Sequence, residues 1–341
     1  MKAWQIGPRS GIDGLQPGEM AEPEAGPGEL KVRVIAAGLN YRDLMVLGGV
    51  YGTDLPETRV PLSDGVGVIE AVGEGVSGFA VGDRVVAPHF VTWLEPEGYN
   101  FGVFAQDLGV TADGWLRKKL TLPASAAIKL PDAISDETAA TLAVVGGTVW
   151  HAMVAFGGAE PGKLVLAQGT GGVSMFTLQL AKAIGADFAI TSSSDEKLAK
   201  ARDMGADFTV NYREREDWAA ALLEVTGGRG ADVVVDTLGF PALGQTVAAT
   251  GVNGRIGTLG ALSGTPQDSA TASQGEIIGK NILIKGIASG SRSMLAQAID
   301  VLASNGIAMT IDKEFAFDDA VAAYRHLESG AHQGKILIRV S

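Results

Sequence analysis

The chain has no cysteine among its 341 residues. That excludes disulfides, thiolate zinc sites, iron–sulfur clusters and a cysteine nucleophile. Histidine is scarce. His89, His151, His326 and His332 are all there are, and no two stand at the i, i+4 spacing of a helical ligand pair. They read as surface or packing histidines, and no metal site is expected from them. Positive charge is also short, with 27 Lys and Arg against 39 Asp and Glu and a formal net charge of −12. This argues against nucleic acid and against an anionic membrane surface as partners. No apolar run approaches the length of a membrane span. Residues 1–6 (MKAWQI) start like a strand, with no signal-peptide pattern after them, so a cytoplasmic location is expected.

What is present fits a globular protein of two domains: 46% hydrophobic and 19% charged residues in a chain long enough for an ample core. The 47 glycines are spread along the chain and signal many tight loops rather than a linker.

The most informative stretch is 165–187, VLAQGTGGVSMFTLQLAKAIGAD. A short apolar run breaks at Gly169-Thr170-Gly171-Gly172-Val173-Ser174 and becomes a helical pattern that ends at Gly185. Strand, glycine turn and helix together form the context of a dinucleotide site. Gly169 allows the tight turn, Gly171 lets the backbone approach a pyrophosphate, and the helix start offers N–H groups to its charge. Ser174 stands where a third glycine is usual, and its small side chain still permits close helix–strand packing.

The next unit bears on which dinucleotide binds. An NAD site commonly places an acid at the end of its second strand, about 20 residues beyond the glycines, to hold the ribose hydroxyls. Here that place reads Ser192-Ser193-Ser194, with Lys197 one turn on. Hydroxyls and an ammonium suit a 2′-phosphate, which a carboxylate would repel. Asp195 and Glu196 read as the acidic first turn of the following helix. NADP(H) is therefore expected ahead of NAD(H). Lys197 also fits a plain solvated position on that helix.

From 163 onward strands and helices alternate. Strands are expected at 163–168, 187–192, 208–210, 233–236 and 254–259, and helices at 172–184, 195–204, 217–226 and 241–249. Such βα alternation demands a mostly parallel sheet covered on both faces. The earlier part, to about Pro123, is glycine-rich and strand-like, with strands at 30–37, 67–72 and 83–87. A late strand at 281–288, amphipathic helices at 291–304 and 317–329, and a last strand at 335–340 suggest that the C-terminus returns to the first domain.

Five segments then carry a resemblance over nearly the whole chain. They are 36–52 (AAGLNYRDLMVLGGVYG), 61–85 (PLSDGVGVIEAVGEGVSGFAVGDRV), 128–153 (IKLPDAISDETAATLAVVGGTVWHAM), the glycine motif, and 333–338 (QGKILI). In this order they resemble the medium-chain dehydrogenase/reductase superfamily, specifically its zinc-independent, quinone-oxidoreductase-like branch. The resemblance implies an α/β protein with two domains. One is a β-rich, GroES-like catalytic domain (1–124 and 288–341), and the other is a Rossmann domain with a doubly wound parallel sheet (125–287). Cofactor and substrate are expected in a cleft between them. The late strand at 281–288 reads as a bare sheet edge that pairing with a two-fold mate would cover, so a homodimer or a dimer of dimers is expected. The chain's own start and end lead us to expect a stand-alone enzyme rather than an enoyl reductase module of a polyketide synthase.

Departures from the zinc enzymes of the superfamily are informative. Motif alignment puts Asn40, Ser63 and Val144 where those enzymes hold catalytic zinc, and none is a strong zinc ligand. No zinc is expected. Without a metal to polarise a ketone, an α,β-unsaturated carbonyl or a quinone is the easier hydride acceptor. The alternatives are a zinc-independent NAD(P)-dependent alcohol dehydrogenase and a non-catalytic cofactor-binding protein. The family motifs implicate Asn40, Tyr51 and Thr148 in catalysis, with Asn40 a hydrogen-bond partner of either the nicotinamide ribose or the substrate. They implicate Gly169 to Val173, Ser193, Ser194, Lys197, Tyr212, Gly260 and Lys335 in cofactor binding, Lys335 resembling the basic residue that reaches the cofactor phosphates from the C-terminus. Tyr51 is a candidate hydrogen-bond donor to the substrate oxygen and equally fits a packing aromatic. Asp43 reads as a structural turn cap. Phe90, Trp93, Tyr99 and Phe101 fit either a pocket or loop packing, and Lys118 and Lys119 read as a solvated basic surface.

Overall fold

The structure, a computed structural model, describes residues 1–51, 55–260 and 272–341, so Gly52 of the first resemblance segment lies outside it. The chain divides into two compact units, Met1–Gly147 with Gly290–Ser341, and Thr148–Ser289. This division lies beyond the expected boundary at 124. The segment 125–147 belongs with the first unit because one of its strands completes that unit's sheet.

The first unit is built on strands. A hairpin joins β1 (Lys2–Gln5) and β2 (Gln16–Glu19). The larger sheet contains β3 (Glu29–Leu39), β4 (Asp64–Val72), β5 (Arg84–Val86), β6 (Lys119–Pro123) and β7 (Ile128–Lys129). The chain then returns through β14 (Ile311–Ala316) and β15 (Lys335–Arg339), giving the order β14-β15-β3-β4-β5-β7 with β6 also paired to β3. The expected return of the C-terminus is thus made by β15, which pairs antiparallel with β3 through Ile338 and Ala37. Alternating apolar residues of β3 face a core with Trp115, Leu120, Tyr324 and Ile338. Helix α1 (Tyr41–Leu47) follows β3 directly. Helices α2 (Asp136–Ala139) and α3 (Ala143–Val149) come later, and Ser135 caps α2 through Thr138 N–H. In the returning segment, α9 (Arg292–Asn305) and α10 (Ala320–Glu328) are the two helices.

The second unit is a parallel sheet with strands β8 (Leu164–Gln168), β9 (Asp187–Ser192), β10 (Phe208–Asn211), β11 (Ala231–Asp236), β12 (Thr250–Thr258) and β13 (Leu283–Gly286). Their order is β10-β9-β8-β11-β12-β13, and every neighbouring pair runs parallel. β8 (LVLAQ) is buried at every position, as a strand covered on both faces must be. Between the strands lie α4 (Gly172–Ala183), α5 (Asp195–Asp203), α6 (Trp218–Val225), α7 (Leu243–Ala249) and α8 (Gln274–Gly279). No helix among the described residues is long and apolar enough to cross a membrane.

Candidate functional site

In the second unit, β8 ends at Gln168 and Gly169 takes φ +76, a left-handed turn that a side chain would strain. Gly171 then caps the twelve-residue α4 and brings no side chain of its own. A Cβ built on Gly171 would meet nothing within 4 Å, so the backbone is open to a ligand there. Ser174, the departure from a third glycine, is buried, and its Oγ donates to Gln168 O at 2.7 Å. It ties the helix to the strand end and leaves the turn intact. Thr170, Gly172 and Val173 complete this helix start, which has no side-chain cap and whose N–H groups favour an anion.

The ends of β9 and β10 pair at Ser192 and Asn211. Ser194 Oγ accepts from Lys197 N–H at 3.3 Å and caps α5, which begins at Asp195 as the acidic first turn predicts. Ser192 Oγ in turn accepts from Ser194 N–H. Tyr212, half-exposed, follows β10, and its N–H donates to Ser192 O at 3.0 Å. Ser193, Ser194, Lys197 and Tyr212 therefore gather at one corner of the sheet, at the ends of its two outermost strands on that side. Gly260 N–H donates to Asp236 O, and a Cβ at Gly260 would come 2.2 Å from Thr237 O, so only glycine fits. Thr148 is buried, with its Oγ1 3.3 Å from Ser289 Oγ. One side chain that the sequence motifs did not single out, Gln168, belongs here. Gln168 Oε1 accepts from Thr237 N–H, and Gln168 Nε2 donates to Thr246 Oγ1, so the amide locks the ends of β8 and β11 behind the glycine turn. Single buried amides of this kind have no sequence signature.

In the first unit, adjacent strand ends assemble a second polar group. Register places Ile336 opposite Leu39 and Gly38 opposite Asp64, so Lys335, Asn40 and Asp64 meet at one end of β15, β3 and β4. Lys335 Nζ donates to Asn40 Oδ1 at 2.6 Å and to Asp64 Oδ2 at 3.0 Å. Asn40 Nδ2 donates to the same Asp64 Oδ2 at 2.9 Å, while Asp64 Oδ1 accepts Val144 N–H at 2.7 Å. Lys335 and Asp64 are buried. Asp64, which the sequence reading passed over, is the hub, and its only sequence trace was an acid heading an apolar strand. Asp43 Oδ2 accepts Asn40 N–H at 2.7 Å, the turn cap expected of it. Burial pushes the Asp43 carboxyl up to about 7, against the opposing pull of that hydrogen bond and of Arg42. Ser63 Oγ donates to Leu108 O and is buried.

A third group was invisible to spacing. Arg42 pairs with buried Asp107, and His89 Nδ1 lies 2.8 Å from Asp107 Oδ1. Burial, and then the charge of Arg42, hold the His89 imidazole below its usual range, so it stays neutral near pH 7. Phe90, Trp93 and Val103 form their own buried cluster, with Tyr99 4.9 Å from Trp93 between ring centroids, so these aromatics pack the loop against itself. Lys118 and Lys119 are not a plain solvated patch. Lys118 donates to Val340 O and sits 4.5 Å over the Phe317 ring, and Lys119 pairs with Glu22 and Glu70.

With this geometry in hand, the chain can be set beside known proteins. The alcohol dehydrogenase GroES-like domain model matches residues 26–132, and the zinc-binding dehydrogenase model matches residues 172–304. A zinc-type alcohol dehydrogenase-like protein of Schizosaccharomyces pombe is 40% identical over 338 residues, covering 97% of this chain and 96% of that protein. The chain belongs to the medium-chain dehydrogenase/reductase superfamily. It is an α/β oxidoreductase-family protein with a GroES-like domain and a Rossmann-like parallel sheet. An acryloyl-coenzyme A reductase of Sulfurisphaera tokodaii is 29% identical over 330 residues, 94% of this chain and 95% of that one. The Escherichia coli quinone oxidoreductase solved with NADPH has a TM-score of 0.81 and 26% identity, with full coverage of both chains.

Proposed function

We propose that this protein transfers a hydride from NADPH to a quinone or to the C=C bond of an α,β-unsaturated carbonyl compound, without a metal. The observation that carries the reading is the ammonium of Lys335 held against Asn40 Oδ1 and Asp64 Oδ2. By the motif alignment, Asn40, Ser63 and Val144 stand at the three places where zinc relatives bind their metal. Here the Asn40 oxygen receives an ammonium, Val144 offers only a backbone N–H, and Ser63 Oγ donates elsewhere. A divalent cation would have to displace a fixed positive charge, so this donor set does not fit zinc.

The residues do fit a dinucleotide. The turn Gly169 to Val173 would hold the pyrophosphate, Ser193, Ser194, Lys197 and Tyr212 the adenosine 2′-phosphate, and Thr148 and Gly260 the nicotinamide end. NADPH, when bound, supplies the hydride. The chain's own task is to orient the acceptor and support the charge on its oxygen as the β-carbon takes the hydride. Asn40 Nδ2 and the Tyr51 hydroxyl are the donors we assign to that oxygen. The names of the acryloyl-coenzyme A reductase and the quinone oxidoreductase accord with such acceptors. The alcohol dehydrogenase-like name of the S. pombe relative favours a second reading, metal-free alcohol oxidation.

The test is NADPH oxidation by purified protein with a panel of quinones and enones, alongside metal analysis. We expect turnover on that panel with less than stoichiometric zinc. Oxidation of simple alcohols with no reduction of enones or quinones would reject the reaction. One zinc per chain, lost together with activity, would reject the metal-free reading. Cofactor binding with no turnover on any of these would leave a non-catalytic binding protein.

A further inference from the structure

We infer that Lys335 is a positioning residue that locks the side-chain amide of Asn40 in one orientation, and that it does not serve as a contact to the cofactor phosphates. The inference rests on Asn40 being a donor to the substrate oxygen, as proposed above. An asparagine amide can turn over, exchanging its oxygen and its NH2. At Asn40 both ends are met by groups of fixed polarity. Lys335 Nζ can only donate, and it lies 2.6 Å from Oδ1. The Asp64 carboxylate can only accept, and it lies 2.9 Å from Nδ2. Turning the amide over would press NH2 against an ammonium and oxygen against a carboxylate. One orientation is therefore held from both sides. Nδ2 carries two hydrogens, and Asp64 takes one, so the other is presented as a donor. That is the polarity an oxygen gaining negative charge requires.

The lock is built into the strands. Gly334, at φ +94, leads into β15, and a Cβ there would come 2.3 Å from Thr310 O, so the approach of this turn fixes where Lys335 starts. Lys335 N–H donates to Thr310 O at 2.8 Å. The side chain is buried, and two of its three donors are already used by Asn40 and Asp64. Asp64 itself is fastened by the Val144 N–H. An ammonium committed in this way orients its neighbour rather than reaching for a phosphate.

The experiment compares Lys335→Met, Asn40→Ala and the double variant. It measures kcat and KM for an enone or quinone and NADPH affinity by titration. We expect Lys335→Met to lower kcat at least 10-fold, with NADPH affinity within about twofold of the parent protein. In the Asn40→Ala background the same change should add less than about twofold, because the two residues act as one unit. Loss of NADPH affinity of 10-fold or more in Lys335→Met, persisting in the Asn40→Ala background, would overturn the inference and return Lys335 to the phosphates. Full turnover by Asn40→Ala would instead reject Asn40 as the donor, and the lock with it. An impaired Asn40→Ala beside an unimpaired Lys335→Met would reject the lock alone. Should the lone Met leave Asp64 uncompensated and unfold the chain, Asp64→Asn/Lys335→Met removes both charges together, and the same kinetic outcomes apply. A readout independent of activity is the Asn40 side-chain amide in a 1H–15N spectrum, identified by its loss in Asn40→Ala. Slow solvent exchange in the parent and at least 10-fold faster exchange in the double-neutral variant are expected. Equal exchange in both would also overturn the lock.

Discussion

The guanidinium of Arg42 lies over the ring of Tyr51, 5.2 Å from its centroid. Arg42 is itself fixed by buried Asp107, so the ring has a cationic platform that does not depend on its hydroxyl. Tyr51→Phe should therefore keep the ring in place and remove only the phenol. If that phenol donates to the substrate oxygen, turnover should fall about 10- to 1000-fold while NADPH affinity stays nearly constant. Steady-state kinetics and a cofactor titration on the one variant check both halves. Full turnover would leave Asn40 as the remaining donor.

Lys197 stands at the first turn of α5, where Ser194 Oγ accepts its N–H, beside the ends of β9 and β10. A charge-assisted contact to a 2′-phosphate is worth about 1–3 kcal/mol. Lys197→Met should weaken NADPH binding by about that amount and leave NADH unchanged, as measured by calorimetry with each cofactor. An equal loss for both cofactors would mean that the lysine does not read the phosphate.

What could be read in advance depended on how local the signal was. The glycine turn and the βα alternation are written in contiguous residues, and β9 spans Asp187–Ser192 as its apolar run predicts. The Asn40 cluster is different. Asn40 and Asp64 are 24 residues apart, and Lys335 is 295 residues from Asn40, so only strand register brings them together. The motifs flagged Asn40 and Lys335 singly, the one for catalysis and the other for the cofactor, and could not show that they bind each other. The same holds for Arg42, His89 and Asp107, separated by 47 and 18 residues in turn. Lys118 and Lys119 looked solvated because their partners Val340, Glu22 and Glu70 arrive from distant strands and turns. The first unit extends to Gly147 because the two-residue β7 pairs with β5, a strand too short to announce itself.

At the edge of the parallel sheet, β13 is exposed along its length, with Leu283 52% and Ile284 39% accessible. An open apolar edge strand invites pairing, and a two-fold mate would cover it. A homodimer or a dimer of dimers is expected in light scattering at micromolar concentration. Ile284→Lys should shift that species toward monomer while leaving cofactor affinity per chain unchanged. A monomeric parent protein would contradict this.

Asp43 supplies a pH dependence whose sign can be worked out. Burial raises its carboxyl from the ordinary value of 3.8 to about 7 in the folded chain. Between those values the folded state keeps a proton that the unfolded state has released. The contribution to stability is thus complete below about pH 4 and is lost as pH rises toward and through about 7. Within that window the loss is about 1.4 kcal/mol per pH unit at most. Asp43→Asn removes the titration while its side-chain oxygen can still accept the Asn40 N–H. Chemical denaturation from pH 4.5 to pH 8 should therefore show the parent protein losing stability relative to Asp43→Asn as pH rises. Other titrating groups are common to both proteins and cancel in the difference. Parallel stability curves for the two would show that Asp43 is ionised in the folded chain throughout, and that burial does not govern its charge.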